Sequence, residues 1–441
     1  MPCNLKEQYL RFLLLFAATI AIAGIISQWI IPQGKNIWWL FPVPHGRPVG
    51  CFINRNHFGG FVALLCSPSI FLVAESIEKR KYPSAILWGL CFIILSTAAV
   101  MSLSKGAWLA LSSSVIFSLL VMLFRKQWLT VVSLSAILSI VASILILIPN
   151  QQINERFKSL AGVMQTSSAE MRLSTWRDSF AILRDYPFAG AGANAFRMVF
   201  PQYRAASTRK PFEHAENEYI QIPVEFGIPA TALIIALIIC IIAKWRKTLL
   251  TGQNVTISLC VAGTLVAVIT HASTDFALRI PLYFLTVCSM IGLVISSSPS
   301  ESQIEILRLR ALLPAGALVI IAALSISGSR IYKLDSIDYL ADAGNDDICL
   351  ALEWSPTSWQ AWYNLGRAAV ILRTNESKHF GESCLTQATI YDPLNYLVWQ
   401  ELSLLRFSLN DLEGARNAYC RLKELRPWAK INELETQQRP Q

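Results

Sequence analysis

Long apolar runs constrain the fold of this chain more than any other feature. Because backbone that faces lipid must satisfy its own hydrogen bonds, each run near the 20 or so residues that cross a bilayer is predicted to be a helix. With 54% hydrophobic and 15% charged residues, the chain is too apolar for one soluble domain. The prediction is an all-α polytopic membrane bundle of about nine spans, at residues 12–31, 58–74, 85–103, 106–124, 128–148, 220–243, 255–272, 280–297 and 311–328.

Basic residues flank these spans on one side, which predicts the orientation of the bundle. They are Lys6, Arg11, Lys79, Arg80, Lys81, Arg125, Lys126, Lys244, Arg246, Lys247, Arg308 and Arg310. Short loops rich in lysine and arginine remain in the cytoplasm. The N-terminus is therefore predicted to be cytoplasmic, and residues 32–57, 149–219 and 271–281 to lie on the outer face. An odd number of spans places the C-terminal region, residues 329–441, on the outer face as well.

The long outer loop, residues 149–219, is predicted to form an amphipathic helical lid. Ser167 and Glu170 fit a capping box, so a helix should begin there and end before Pro187. An apolar stripe follows at helical spacing, made of Leu173, Trp176, Phe180 and Leu183. Gly190-Ala-Gly192 should then make a turn before a second short helix.

Arginines of this loop are candidates for phosphate binding, because charge-assisted hydrogen bonds to phosphate are strong. Arg172 is the principal candidate, and Arg197 and Arg204 of the second short helix are helpers. Arg177 and Arg184 lie seven residues apart and project from a common side of the first helix. The alternative is that each arginine belongs to a solvated helix face.

The sequence HAENEY, residues 214–219, concentrates ionisable groups at the outer end of the sixth span. His214 and Glu216 are candidates for a general base, and Asn217 and Tyr219 for groups that orient a substrate or that base. The alternative is that His214 is a surface histidine and that Glu216 and Glu218 stabilise a helix N-terminus.

From Asn217 onward the chain resembles the bacterial O-antigen ligase and O-antigen polymerase superfamily. The signature there is histidine, asparagine, nine residues, glycine, three residues and a small residue; Asn217, residues 218–226, Gly227 and Thr231 fit it. Glu216 stands in place of the histidine directly before the asparagine. Three other stretches also resemble the superfamily, and with them the likeness covers about residues 45–297: Gly50–Phe58, Ser102–Ala107 and Met171–Gly192.

The resemblance implies a glycan transferase of the bacterial cytoplasmic (inner) membrane. Its donor would be an undecaprenyl-diphosphate-linked glycan, and its acceptor a hydroxyl of a glycan, lipid or protein. Residues 1–328 would form the glycosyltransferase-like membrane domain, with the catalytic loop at about 149–219. The implied catalytic residues are His214, Glu216 and Arg172. Ligase, polymerase and protein O-glycosyltransferase are not separated by any short motif.

Further candidates for substrate binding lie in two of the resembling stretches: Asn54, Arg55, His57 and Lys105. Lys105 stands where the superfamily usually has arginine. The alternatives are that the first three anchor the membrane interface and that Lys105 extends its amine towards water. The later pair of His271 and Asp275 would either line the cavity or cap a helix.

The C-terminal region, residues 329–441, has a soluble and helical pattern. Pro393 and Pro427 are 34 residues apart, the period of tetratricopeptide repeats, and Pro356 precedes Pro393 by 37 residues. About two and a half helix pairs are predicted, which would bind a protein or peptide partner or dock on the membrane domain.

No motif in the sequence indicates a metal, a cofactor or nucleic acid as a partner; the partners expected besides substrates are membrane lipids. Two other classes of function predict different sequence features. A secondary transporter would carry ionisable residues near span midpoints, whereas these spans are nearly free of charge. A non-catalytic tetratricopeptide scaffold of polysaccharide export would have no use for the arginine-rich lid.

Overall fold

The computed structural model describes residues 3–42, 48–147, 167–204, 214–250, 255–295, 352, 359–371 and 374–426. Apart from one two-stranded hairpin (β1 Asn36–Ile37 and β2 Phe41–Pro42), the regular elements of these ranges are helical. The first eleven α-helices are α1 Cys3–Ile25, α2 Arg55–Leu64, α3 Cys66–Glu78, α4 Tyr82–Met101, α5 Lys105–Phe124, α6 Trp128–Leu147, α7 Ser167–Asp185, α8 Phe196–Tyr203, α9 Glu218–Leu250, α10 Val255–Ala272 and α11 Pro281–Ile295. Four more follow: α12 Trp359–Ile371, α13 Asn375–Tyr391, α14 Tyr396–Ser408 and α15 Leu412–Leu425.

Helices occur at the first eight predicted spans. Within the described ranges, six helical segments are long and apolar enough to cross a membrane: Leu5–Ile30, Arg55–Glu78, Tyr82–Met101, Lys105–Phe124, Glu218–Ala243 and Val255–Ala272. Two more, Trp128–Ser143 and Pro281–Val294, are apolar but shorter. The ninth predicted span, residues 311–328, lies outside the described residues, as do residues 148–166 and 205–213 of the outer loop. The count of nine spans remains a prediction.

The centre of the membrane bundle is formed where α10 packs against α3 and α5. Small and hydroxylated side chains make this approach close, as is usual between membrane helices. Ser67 and Ser118 share a hydrogen bond of 2.7 Å, and the hydroxyl of Thr264 donates to the carbonyl of Leu64 at 3.0 Å. A side chain at Gly263 would collide with Ser67. The bundle therefore depends on contacts at which helix backbones nearly touch.

The described residues fall into two compact units. The first contains the membrane helices, α7 and the residues up to Ala193. The second contains the C-terminal helices together with α8, which the sequence-based prediction had placed in the membrane domain. Helix α8 packs against α15 in that second unit. Part of the outer loop thus folds with a region more than 200 residues further along the chain.

The C-terminal helices form two pairs, α12 with α13 and α14 with α15. Equivalent helices begin 37 residues apart, at 359 and 396 and again at 375 and 412. The spacing follows that of Pro356 and Pro393 rather than the 34 residues from Pro393 to Pro427. In the first pair, Gly366 and Gly381 face each other so closely that a side chain at either would press on the other's carbonyl.

Candidate functional site

Helix α9 is broken at Gly227, nine residues after its first residue, Glu218. Gly227 has φ 79° and ψ 172°, a conformation almost confined to glycine. Beyond the break, Pro229 has no N–H to donate to the carbonyl of Glu225, and the N–H of Ile228 points away from the carbonyl of Val224. The break therefore leaves two buried carbonyls without their helical donors.

The turn after α7 supplies the missing donors. The N–H groups of Ala191 and Gly192 donate to those two carbonyls at 2.8 and 3.0 Å, and Ile228 donates in return to the carbonyl of Pro187 at 2.8 Å. A side chain at Gly190 would collide with the backbone of α9. The Gly-Ala-Gly sequence and the break of α9 are thus two halves of one backbone crossing, which joins the outer loop to the membrane helix.

The Gly227→Ala variant is expected to lose about 4 kcal/mol of unfolding free energy, from the strained backbone and from the clash of the new methyl group with the carbonyl of Phe188. Gly34→Ala is the matched control, because Gly34 also has a positive φ, of 63°, but open space around it. The control should lose only about 1 to 2 kcal/mol. Thermal or denaturant unfolding of the detergent-solubilised variants measures both losses. Equal losses would show that the crossing contributes nothing.

The HAENEY segment forms a tight turn that α7 holds in place. Glu216 has φ 51°, an uncommon value for a residue with a side chain. The indole N–H of Trp176 donates to the carbonyl of Ala215 at 2.8 Å. The side-chain oxygen of Asn217 accepts the N–H of Tyr219 at 3.0 Å and so caps α9. This turn therefore presents Glu216 in one defined direction.

Arg172 of α7 and Glu216 of the turn form an ion pair. The Nε and Nη2 atoms of Arg172 lie 2.6 and 2.5 Å from Oε2 of Glu216. Both side chains are about one-third exposed, so solvent reaches the pair. Since Arg172 occupies only Oε2, the second carboxylate oxygen of Glu216 is left for another partner.

A buried chain of hydrogen bonds reaches His214 from the other side. The carboxylate of Glu225 accepts from Nη2 of Arg279 at 2.8 Å and from Nε2 of Gln221 at 2.9 Å. Oε1 of Gln221 accepts the N–H of Ala215 at 3.0 Å. Because an N–H needs an acceptor and a carboxylate needs a donor, these two partners determine the orientation of the Gln221 amide. Its second hydrogen is directed at Nδ1 of His214, 2.8 Å away, so Nδ1 accepts and neutral His214 carries its proton on Nε2.

The ring of Phe276 lies between two histidines. Its centroid is 4.0 Å from that of His214 and 4.8 Å from that of His57. Nε2 of His57 lies 3.3 Å from Oδ1 of Asp275, and Nε2 of the fully buried His271 lies 3.9 Å from Oδ2. The 271–281 loop thus links a histidine of α2 to the HAENEY turn.

Asp275 is ionised in this cluster. Burial raises the pKa of its carboxyl, but interactions with His57 and His271 and the N–H of Phe276 outweigh burial and hold the pKa below its usual value.

The ring of His271 fits against Gly60 and Gly106, where a side chain would collide with it or with Thr274 beside it. Helices α2, α5 and α10 therefore meet at one end of the bundle.

The other predicted binding residues differ in their positions and in the groups that they contact. Asn54 caps α2 by accepting the N–H of Asn56 at 2.9 Å. Arg55 and Lys105 are the first residues of α2 and α5, and so lie at this same end of the bundle. The hydroxyl of Tyr219 donates to the carbonyl of Ile269 at 2.8 Å, which ties α9 to α10.

The described arginines of the outer loop have different surroundings. Arg177 and Arg184 are exposed and contact only their neighbours Asp178 and Asp185 among the ion pairs described. Arg197 and Arg204 belong to the second compact unit. In the predicted apolar stripe of α7, Leu173 and Phe180 are exposed, whereas Thr175, Ser179 and Ile182 on the same helix are buried. Thr175 and Ser179 thus lie beside Ile182 on the inner side of α7, while Leu173 and Phe180 face outward.

Sequence reasoning missed three of the buried or half-buried polar residues of this region, Gln221, Glu225 and Arg279. Gln221 and Glu225 lie one turn apart in a span taken to be free of charge, and Arg279 pairs with Glu225 across 54 positions of the sequence. Glu218 is also buried, with Oε1 unpartnered among the described residues. The sequence did contain a signal for this pairing. Glu225 lies inside an apolar span, where a carboxylate needs a partner. In the described part of the chain, His, Cys, Asp and Glu side chains form no group of three suited to a metal ion.

The segment that contains these elements is similar to a known protein family. The model of the O-antigen ligase family (Wzy_C) matches residues 90–235, which include α5, α7, the HAENEY turn and the break of α9. An uncharacterized protein of Haemophilus influenzae is 21% identical over 227 residues, covering 48% of this chain. The match spans 56% of the length of that relative. Residues 90–235 are therefore similar to the O-antigen ligase family, within a protein whose apolar helices fit a multi-pass membrane protein.

Proposed function

We propose that this protein transfers an oligosaccharide or polysaccharide from undecaprenyl diphosphate to an acceptor hydroxyl on the outer face of the cytoplasmic membrane. The observation that carries the proposal is the Arg172–Glu216 pair, which is solvent-accessible, held by a strained turn and located at the end of the membrane helices. A cation and a carboxylate at membrane depth suit a substrate whose leaving group is a lipid-bound diphosphate.

The reaction is displacement at the anomeric carbon. The acceptor oxygen forms the new bond to that carbon, the bond to the diphosphate oxygen breaks, and its electron pair leaves with the diphosphate. A base takes the proton of the acceptor hydroxyl, and Arg172 stabilises the charge that develops on the departing group. The step needs no metal ion, because the guanidinium supplies the positive charge.

Glu216 is the base in this proposal, and His214 is a hydrogen-bond donor. Nδ1 of His214 is occupied by the Gln221 amide, and Nε2 already carries the proton in the neutral ring. His214 therefore cannot accept a proton without losing a buried hydrogen bond. Glu216 has a carboxylate oxygen outside its pair with Arg172 and is open to solvent. Asn217 and Tyr219 act by holding the turn and α9 in place.

The remaining candidates have supporting roles. Arg55, His57 and Lys105 lie at the same end of the bundle and would contact the sugar or the diphosphate, whereas Asn54 holds the start of α2. Arg197 and Arg204, grouped with the C-terminal helices, would contact the glycan or its acceptor. The two C-terminal helix pairs would bind a protein or peptide partner in the manner of tetratricopeptide repeats.

The proposal is tested with the purified full chain in nanodiscs and a lipid-linked oligosaccharide. Release of undecaprenyl diphosphate is measured with a lipid, a glycan or a protein acceptor, and without any acceptor. Release that depends on one acceptor class supports the transferase and identifies that class. Binding of the lipid-linked glycan without release in any mixture would instead favour a transporter or a scaffold.

The His214→Ala variant is expected to lose about tenfold in transfer rate, the cost of one neutral hydrogen bond of roughly 1.4 kcal/mol. His214→Gln should retain more of the rate, because an amide still donates. The same release assay measures both variants. A loss of a thousandfold or more, not restored by glutamine, would show that His214 is the base.

A further inference from the structure

An apolar groove lies on the outside of the bundle between α3, α4 and α6, away from the candidate site. Its volume is about 510 Å³, within the range of roughly 300–1,000 Å³ typical of small-molecule pockets. The walls are formed by Ile77 of α3, Tyr82 and Ile93 of α4, and Leu129 and Ile137 of α6, among others. Leu129 is 60% exposed, so the groove opens to the surface of the bundle.

The groove has the length of one leaflet of a bilayer. Along α4 it extends from Tyr82 to Ile93, which is about 16 Å at 1.5 Å per helical residue. The hydrocarbon core of a bilayer is about 30 Å thick, so one leaflet accounts for about half of that. A single acyl chain that enters at the membrane surface therefore fits the groove from end to end.

Basic residues surround the end of the groove at Ile77, Tyr82 and Leu129. The α3–α4 loop carries Lys79, Arg80 and Lys81, and the α5–α6 loop carries Arg125 and Lys126. These loops lie together, because the amide of Gln127 contacts the carboxylate of Glu78 at 3.5 Å. Both loops are at the helix ends opposite the candidate site, since the continuous span of α2 and α3, and helix α5, run from that site to these loops.

Four of these cations are unneutralised. Lys79 is paired with Glu75 at 2.6 Å, and Glu78 faces the Gln127 amide. In the described ranges, no acidic side chain pairs with Arg80, Lys81, Arg125 or Lys126, all of which are exposed. Basic clusters beside membrane helices attract anionic headgroups. The positive charge thus suits an anionic headgroup, and the apolar groove suits an acyl chain of the same ligand.

We infer that this groove binds an anionic phospholipid. One acyl chain lies between α3, α4 and α6, and the phosphate lies among the four cations of the two loops. The site is distinct from the candidate glycan site at the other end of the helices and does not depend on the proposed reaction. It would anchor the bundle in the leaflet that the basic loops predict to be cytoplasmic.

Native mass spectrometry of the detergent-solubilised full chain tests the inference. Dioleoyl-phosphatidylglycerol or dioleoyl-phosphatidylcholine is titrated in, and bound lipid is counted. Wild type should retain one phosphatidylglycerol with a preference of about tenfold or more over phosphatidylcholine. Equal retention of the two lipids would overturn the inference, because only nonspecific lipid contact would remain.

Two variants separate the groove from the charge. Gly89→Leu combined with Ala136→Phe fills the groove and should abolish the retained lipid; Gly292→Leu is the control, since a side chain at Gly292 meets open space outside the groove. Changing Arg80, Lys81, Arg125 and Lys126 to Gln should remove the preference. The control for that variant changes Lys244, Arg246 and Lys247 to Gln. Wild-type retention in the filled variant, or an unchanged preference without the four cations, would overturn the inference.

Discussion

Transfer of glycan is expected to fall by about 10²- to 10⁴-fold when Glu216 is replaced by glutamine, because general base catalysis contributes factors of that size. Glutamine keeps the size of the side chain and an oxygen that accepts from Arg172. The turn and the ion-pair geometry should therefore persist while the proton acceptor is lost. Release of undecaprenyl diphosphate per unit time, at saturating donor and acceptor, measures the change.

Two further measurements distinguish a base from a structural partner of Arg172. Added formate should restore part of the activity of Glu216→Ala, since a small carboxylate can occupy the vacated space and accept the proton. Glu170→Gln removes an exposed carboxylate of α7 and should retain wild-type activity. Full activity of Glu216→Gln would eliminate Glu216 as the base and reopen the case for His214.

The Arg172→Ala variant is expected to lose about 10²- to 10³-fold in transfer, as when one donor to a developing negative charge is removed. Lysine at this position should recover only part of the loss, because an ammonium group cannot present two fixed donors to the carboxylate and the diphosphate. The matched control is Arg177→Ala on the same helix, where the arginine is 75% exposed. We expect wild-type rates from that control.

Donor binding gives a second readout for Arg172. If the guanidinium stabilises mainly the departing diphosphate, the maximal rate falls more than the affinity for the lipid-linked glycan. Equal losses in Arg172→Ala and Arg177→Ala would mean that the loop acts only through its net charge, and the assigned ion pair would have no catalytic part.

Local signals in the sequence predicted the helices well. Helix α7 begins at Ser167 and ends at Asp185 as its capping residues and Pro187 indicate, and a short helix follows the glycine turn. These boundaries depend on residues a few positions apart. Which side of α7 is buried could not be read in the same way, because the rule that apolar residues face inward assumes a surface in contact with water.

Hydrogen bonds between segments that are far apart along the chain could not be predicted from the sequence either. The bond from Arg279 to Glu225 arises only once α9 has been placed beside the 271–281 loop, and the bond from Trp176 to Ala215 only once α7 has been placed beside the HAENEY turn. The break of α9 illustrates the same limit. Its glycine and proline residues indicate an interruption, but not that the N–H groups of Ala191 and Gly192 complete it.

The grouping of α8 with the C-terminal helices has a consequence for the order of assembly. A ribosome completes α8 at residue 203 and begins α15 only at residue 412. Phe196 and Phe200 are buried in the folded protein. During that interval the helix against which α8 packs has not yet been synthesised. Helix α8 thus acquires its final surroundings only after more than 200 further residues have been synthesised, later than the membrane helices that precede it.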